Sequence, residues 1–328
     1  MFLKFQPFFL IAETPIHPGS GGSLSIVDLP IQRERHTNFP KIEPSGLKGC
    51  IREVFESSNG RKIKIKDKDA EINDKNISLV FGPDSQGDEE SYAGAIGFTD
   101  ARILLFPVKS LKGIFTWITC PQVFERFKKD MEIAEIPLPD CFEKIESGKI
   151  ASKDIVIQDD QNDHLIVLEE FTFKVKEDSN VKDIAKWLAR NIFQDNSYNY
   201  WRKKLENNLV ILSDDEFRDF VTNSTEVITR TKIDNKTGTV EKGGLWTEEY
   251  LPQDSILYSI AMASGIKAKK DEDKDCFSGA KNSEEEAELV LEYFRNGVGK
   301  VIQIGGNQTI GKGLTRIEFL KEEKDAKE

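Results

Sequence analysis

Two glycine-rich stretches carry most of the residues suited to chemistry. Near the start, ETPIHPGSGGSLSIVDLPIQRERH (13–36) places His17 on a Gly/Ser loop and Asp28 eleven residues later, followed by Arg33 and Arg35. A carboxylate of this kind serves as a general base or as one of the few protein ligands of a divalent ion that also binds a phosphate. Beside arginines it more often forms a plain salt bridge. Near the end, IGGNQTIGKGL (304–314) reads G-x-x-x-x-G-K-G from Gly306. That is one residue from the phosphate loop of P-loop NTPases, with Gly313 where the Mg²⁺-holding Ser or Thr belongs.

Context removes the NTPase reading. A phosphate loop must open a helix. Here LTRIEFL (314–320) follows, alternating and β-branched like a strand, and 15 residues remain after Gly313. Two readings of the loop stay open. Gly305, Gly306, Gly311 and Gly313 serve backbone geometry alone, or they let a phosphate chain approach bare backbone with Lys312 as the point charge.

The rest of the composition narrows the field. The 328 residues are 38% hydrophobic, enough for one large or two ordinary domains. No apolar run reaches 18 residues, so no membrane span is expected. FLKFQPFFL (2–10) is broken by Lys4, Gln6 and Pro7 and reads as a buried first strand rather than a signal peptide. Cys50, Cys120, Cys141 and Cys276 have no metal-like spacing and read as reduced thiols of a cytoplasmic protein. Three histidines exclude a His-rich metal site. The net charge of −11 argues against a simple basic nucleic-acid binder. Nine of the acids, however, lie between 271 and 292, which leaves room for a basic groove elsewhere.

The elements that must position these residues alternate between strand and helix. Strands are expected at 2–12, 102–108, 255–262, 300–305 and 314–320, and a strand or pair of strands at 164–176. SGLKGCIREVF (45–55) reads as a helix capped by Ser45. KSLKGIFTWI (109–118) reads as a second helix, stopped by Pro121. Further helices are expected at 181–190, after the capping box Ser213–Glu216, and after a second box at Ser283–Glu286, with Gly297 just past its end. The last of these, strongly acidic, is expected to face solvent or a partner. Residues 224–241 read as a β-hairpin around DNKTG. Residues 57–100 read as a long, partly mobile insertion and 321–328 as a disordered tail. The two SLKG-type starts, each with a lysine beside free N–H groups, together suggest phosphate contact.

Eight blocks in order carry a resemblance: HPGSG (17–21), VDLPIQRE (27–34), FPKI (39–42), SGLKG (45–49), FGP (81–83), RILLFPVKSLKG (102–113), EEYLP (248–252) and GGNQTIGKG (305–313). From about residue 2 to 320 the chain resembles the backbone subunits of type III-B CRISPR effector (Cmr) complexes, members of the RAMP superfamily. The resemblance implies an α+β fold: a modified RRM-like, ferredoxin-like palm over 1–320, with insertions at 57–100 and 122–224 and a thumb hairpin at 225–250. It implies copies stacked along a guide RNA, pairing of target RNA with the guide, and other Cmr subunits as partners. It also implies regularly spaced target cleavage, each copy displacing one nucleotide.

Chemistry is then expected at Asp28, as general base or as holder of a divalent metal, Mg²⁺ or Mn²⁺. RNA brings its own nucleophile, the 2′-hydroxyl, and splaying one nucleotide aligns it with the adjacent phosphorus. His17 assists proton transfer or orients the loop. Glu248 and Tyr250 match positions near the same site, though Glu248 equally suits a strand end. Arg33 and Arg35 bind RNA or brace Asp28. Guide contacts are expected from Ser45, Lys48, Arg52, Lys109, Lys112, Gly305, Gly306, Gly311, Lys312 and Gly313. Arg52 also suits an ordinary ion pair with Glu56. A non-catalytic scaffold of the same fold is the alternative.

Overall fold

The structure, a computed structural model, describes residues 1–22, 26–66, 68–83, 92–158, 160–267 and 271–321. Residues 23–25, where the Gly/Ser loop ends, and the tail beyond 321, expected to be disordered, lie outside the described residues.

The strands that matter for the site are β1 (Lys4–Ala12), β2 (Ala101–Ser110), β3 (Ile114–Thr119), β4 (Glu226–Ile233), β5 (Val240–Tyr250), β6 (Ile256–Ala263), β7 (Val301–Gln303) and β8 (Leu314–Phe319). The helices are α1 (Pro44–Ser57), α2 (Asp74–Phe81), α3 (Pro121–Ile133), α4 (Ser179–Ile192), α5 (Asn199–Asn207), α6 (Asp214–Asn223) and α7 (Ser283–Gly297). The middle of the main sheet runs β3-β2-β6-β1-β8-β7, every pair antiparallel. The mixed α+β architecture is the one expected. No described helix is long and apolar enough to cross a membrane.

Helices cover both faces of the sheet, and β1 shows why its sequence is a near-continuous apolar run. Side chains alternate faces along a strand. Phe8 packs edge-on against Phe98 and Phe294 of α7, while Phe9 meets Phe127 of α3 on the other side. A strand buried on both faces has no polar positions to alternate with. Phe55 of α1 stacks on Tyr293 of α7 at 5.0 Å, tying the two helices of one face together.

Several local expectations change. Ser45 does not cap α1: Pro44 opens the helix, Glu43 precedes it, and no side chain caps it. The segment 109–118 is no helix but the end of β2, a turn over Leu111–Gly113 and β3. Its Ile, Phe, Thr and Trp favour a pleated strand over a helix. Trp117 is fully buried, and its indole N–H donates to the Asp254 carbonyl at 2.8 Å. Pro121 does not stop a helix but starts α3, where its missing N–H costs nothing. The apparent repeat of two lysine-bearing helix starts is therefore one helix and one hairpin.

At α7 the cap is Asn282, accepting from Glu285 N–H, and Gly297 is the last helical residue. Glu286 of that helix is buried and paired with Lys274 at 2.6 Å, so the acidic face is partly internal. The box at Ser213 and Glu216 forms as expected, and 164–174 is a strand pair. Within 57–100 the described residues form a hairpin (Lys62–Ile65 with Lys68–Glu71), α2 and a short strand (Ile96–Phe98), and 84–91 lie outside the described residues.

One buried carboxyl links the fold to pH. Asp254 sits at φ +67 in the turn into β6. Burial, then the neighbouring Glu13 carboxylate, pushes its carboxyl up to about 6, with Lys204 pulling the other way. A carboxyl raised in the folded state binds protons that the unfolded chain has already released, so stability falls as pH rises from about 4 to about 6. Asp254→Asn keeps a residue tolerant of positive φ. It is expected to raise the melting temperature above pH 6 and to leave it unchanged near pH 3.5. A difference independent of pH would count against this assignment.

Candidate active site at the hairpin root

The hairpin β4–β5 leaves the body as a two-stranded ribbon paired from Glu226↔Tyr250 outward. Its root is where the candidate residues converge. Along β5, Trp246, Glu248 and Tyr250 alternate with Thr247 and Glu249, as period 2 requires. The two sets do different things.

Thr247 holds Asp28. Its N–H and its hydroxyl both donate to Asp28 Oδ2, at 2.8 and 2.9 Å, and Asp28 N–H donates back to the Thr247 hydroxyl at 3.0 Å. Leu29 N–H reaches Thr247 O at 3.0 Å, and Glu249 N–H reaches Leu29 O at 3.0 Å. Asp28 is exposed. The bonds from Thr247, the backbone N–H first and then the hydroxyl, hold its carboxyl below the ordinary aspartate value.

Glu249 anchors the same loop from below. Its buried carboxylate accepts from Arg33 at 2.5 Å, from the Thr225 hydroxyl at 2.8 Å and from Ile31 N–H at 3.0 Å. Arg33 also donates to Asn38 O and Val221 O, each at 2.9 Å. Arg33 thus braces the Asp28 loop through Glu249, while Arg35 is exposed.

Glu248 and Tyr250 form a second cluster. The Tyr250 hydroxyl donates to Glu248 Oε2, and Asn307 Nδ2 donates to both, at 3.0 and 2.8 Å. Trp246 Nε1 and Arg230 Nε complete the shell of Glu248 at 2.8 and 3.2 Å. Burial pushes Glu248 up, but the bonds from Tyr250, Trp246 and Arg230 outweigh it and leave the carboxyl below its usual value. Burial and the Glu248 bond raise the Tyr250 phenol. Glu248 lies within β5 and caps nothing.

His17 sits between the two clusters. Nδ1 donates to Glu249 O at 2.6 Å, which leaves Nε2 as the second ring nitrogen, and the ring centre lies 5.4 Å from that of Tyr250. The glycine-rich loop closes on its backbone. Gly306 N–H donates to His17 O at 3.1 Å, and a Cβ on Gly305, at φ +77, would stand 2.2 Å from the same oxygen. Lys312 Nζ stands 4.9 Å from the Tyr250 ring centre and 4.0 Å from Glu226. Gly305 N–H points to the Cys50 thiol, which brings α1 against the loop.

The loop runs into strand β8, not a helix, so it lacks the frame of an NTPase. Gly313, at φ +84, donates to Pro15 O, and a Cβ there would stand 2.3 Å from Ile304 O. Gly313→Ser restores the phosphate-loop spelling. It is expected to cost about 2 kcal/mol or more, read by urea unfolding, and to release no phosphate from ATP. A stable variant that hydrolyses ATP would overturn this.

The other candidates for guide contact divide. Ser45 is exposed on α1, whereas Lys48 donates to Ile96 O at 3.0 Å and Arg52 to Gly82 O and Glu56, so the ordinary pairing of Arg52 forms. Burial, then the neighbouring Arg52, lowers the Lys48 ammonium. Lys109 and Lys112 lie on the β2–β3 hairpin, with Lys112 Nζ on Val156 O at 3.0 Å. Gly311 faces open space. Among the described residues, no group of three His, Cys, Asp or Glu side chains gathers to hold a metal. Asp28 offers one exposed carboxylate, which suits an ion whose other ligands are water and phosphate.

A family model described as the RAMP superfamily matches residues 9–316. The chain is 38% identical to the CRISPR system Cmr endoribonuclease Cmr4 of Pyrococcus furiosus, over 95% of this chain and 94% of that one. It is 28% identical to the CRISPR system CMR subunit Cmr4 of Saccharolobus solfataricus, over 97% of each. The crystal structure of oligomeric Cmr4 from Pyrococcus furiosus matches with a TM-score of 0.66 at 28% identity, covering 97% and 98% of the two chains. A chain of the type III-B Cmr-beta complex bound to cognate target RNA matches at 0.65 and 22%, covering 97% and 98%, a likeness of fold.

Proposed function

The chain belongs to the RAMP superfamily, and from that premise we propose that it is a guide-RNA-binding filament subunit of a type III-B CRISPR complex, an endoribonuclease that cuts complementary target RNA at regular intervals. The full-length likeness to a named Cmr endoribonuclease supports the reaction class. The observation that carries the site is Asp28, exposed yet fixed by three bonds to Thr247 at the root of a projecting hairpin.

The hairpin displaces one target nucleotide, and the splayed sugar brings its 2′-oxygen in line with the adjacent phosphorus. The 2′-oxygen bonds to phosphorus, the bond to the 5′-oxygen breaks, and the products are a 2′,3′-cyclic phosphate and a 5′-hydroxyl. The 2′-proton leaves to Asp28, to the Nε2 lone pair of His17, whose Nδ1–H is held by Glu249 O, or to solvent, and the 5′-oxygen gains one from water. A carboxylate held below its ordinary pKa is a weak base near neutrality but a good hard ligand. We therefore assign Asp28 chiefly to a divalent ion, Mg²⁺ or Mn²⁺, which when bound acidifies the 2′-hydroxyl and neutralises charge on the phosphate. Glu248 and Tyr250, already satisfied by Arg230, Trp246 and Asn307, position the hairpin against the glycine-rich loop. The bare backbone at Gly305, Gly306, Gly311 and Gly313, with Lys312 and the exposed Ser45 end of α1, forms the guide side. Target RNA, neighbouring copies and other Cmr subunits complete the assembly, in the cytoplasm.

The test is the assembled complex with end-labelled complementary RNA. Evenly spaced products with cyclic phosphate ends are expected, lost in EDTA and regained with Mg²⁺ or Mn²⁺. Irregular cuts would sink the filament role. Cutting unaffected by EDTA would sink the metal role alone.

A further inference from the structure

We propose that copies of this chain stack head to tail by seating the tip of the β2–β3 hairpin in the groove behind α3 of the next copy; the contact rests on the filament reading above and names its residues. The tip is an apolar knob with nothing on it. Leu111 is 69% exposed and Ile114 79%. Ile114 also stands at φ +73, a region that β-branched residues avoid. In a single chain this residue, on its strained backbone, buries little, which is the pattern of a residue kept for a contact made elsewhere.

The knob is preformed. Lys204 Nζ donates to Gly113 O at 2.8 Å and stands 4.3 Å from the Phe115 ring centre, while Lys112 is tied to Val156 O. These two lysines and the exposed Lys109 make the rim basic, with Glu169 and Glu170 of the adjoining turn as the acids nearby.

The groove has the opposite character. Ile136, Pro137, Leu138 and Pro139 line an open cleft of about 600 Å³, and Ile133 beside it is 59% exposed. Four carboxylates, Glu125, Glu132, Glu135 and Glu143, edge it against Lys128 and Lys129, and Lys128 is already held by Glu125 at 3.0 Å. An apolar knob with a net basic rim thus has, on the same chain, an apolar cleft with a net acidic one.

Their placement decides the kind of assembly. Arg102, near the start of β2, is bonded to Asp130 of α3 at 2.7 Å, whereas the tip follows Ser110 at the strand's far end. Eight strand residues span roughly 26 Å. Knob and groove therefore lie at opposite ends of β2 and do not meet within one chain. A contact between two different patches joins copies head to tail, and such a contact builds a filament wherever its rotation does not close into a ring. RNA is the other possible occupant of the tip, given its lysines. Leu111 and Ile114 at the summit of the tip are aliphatic, however, and offer no ring for a base to stack on; the exposed ring of Tyr200 lies off the tip, on α5, reached from Phe115 only through Trp201.

The experiment uses the full chain with a benzophenone side chain incorporated at position 111, assembled on a guide RNA long enough for several copies and irradiated. Mass spectrometry is expected to find position 111 joined to residues 132–143 of another copy. Leu138→Asp is expected to weaken stacking by about tenfold or more in sedimentation. Ile114→Gly, which relieves the backbone, is expected to weaken stacking without lowering the melting temperature, a pairing that loss of fold does not produce. Cross-links to the RNA, or to another protein surface, would overturn the contact. Stacks that form with no link from 111 to the groove overturn this interface and leave the filament intact; no stacks on guide RNA overturn both.

Discussion

Asp28→Asn is expected to reduce target cutting by the assembled complex by about 10²-fold or more, with guide and target binding within about twofold of wild type. The amide keeps an oxygen able to accept the Thr247 N–H and hydroxyl, so the loop geometry survives. What it loses is charge, and with it both basicity and affinity for a divalent cation. The pH dependence has a definite sign. Thr247 holds the Asp28 carboxyl below its ordinary value, so the group stays ionised throughout the neutral range. Cutting by the wild type is therefore not expected to fall, on account of Asp28, anywhere above the ordinary aspartate range. Gel analysis of end-labelled target, together with filter binding of the same complex, separates the two effects. Undiminished, evenly spaced cutting by Asp28→Asn would place the chemistry on another residue or subunit and leave this chain a scaffold. Lost binding would place Asp28 among the RNA contacts instead.

Much of this site was legible in the sequence, the His17–Asp28 loop and the glycine-rich loop from their residue types, and Glu248, Tyr250 and the weight given to Asp28 through the family resemblance. Asp28, His17, Glu248, Tyr250 and the glycine-rich loop lie at widely separated positions, yet all arrive at one hairpin root. The rejection of the NTPase reading also came from local context, since strand character after Gly313 is visible in the residue types. What stayed hidden depends on strand register. Thr247 and Glu249 face the Asp28 loop while Glu248 and Tyr250 face Asn307, a division set by the period-2 alternation along β5. The WTEEY string carried that signal, but nothing in one sequence says which face meets which loop. Asn307, at φ +69, was hidden for the same reason. The segment 109–118 differs from its expectation because Ser, Leu, Lys and Gly resemble a helix start, whereas Trp117 finds its partner 137 residues away. Tertiary burial, not local propensity, set that element.

Arg33→Ala is expected to lower stability by about 3–5 kcal/mol, the cost of leaving one member of a buried ion pair without its partner. The geometry puts this change at the upper end of single substitutions. Arg33 is 14% exposed in its side chain and Glu249 6%, their contact is 2.5 Å, and Arg33 also satisfies two backbone carbonyls. Without the guanidinium, Glu249 retains the Thr225 hydroxyl and Ile31 N–H but no counter-charge. Glu249 in turn steadies the backbone of the Asp28 loop, so the loop should loosen before the whole chain unfolds. Two measurements check this: urea unfolding, and hydrogen exchange at Leu29 and Ile31, whose amides bond to Thr247 O and the Glu249 carboxylate. Arg35→Ala, exposed and two residues along, is the control and should move stability by less than about 0.5 kcal/mol. An Arg33→Ala chain as stable as wild type that binds RNA more weakly would reverse the assignment, making Arg33 a nucleic-acid contact. Since Arg33 and Asp28 lie on the same VDLPIQRE segment, this pair of substitutions separates two demands on it: Asp28 for the reaction, and Arg33 for holding the loop on which Asp28 is presented.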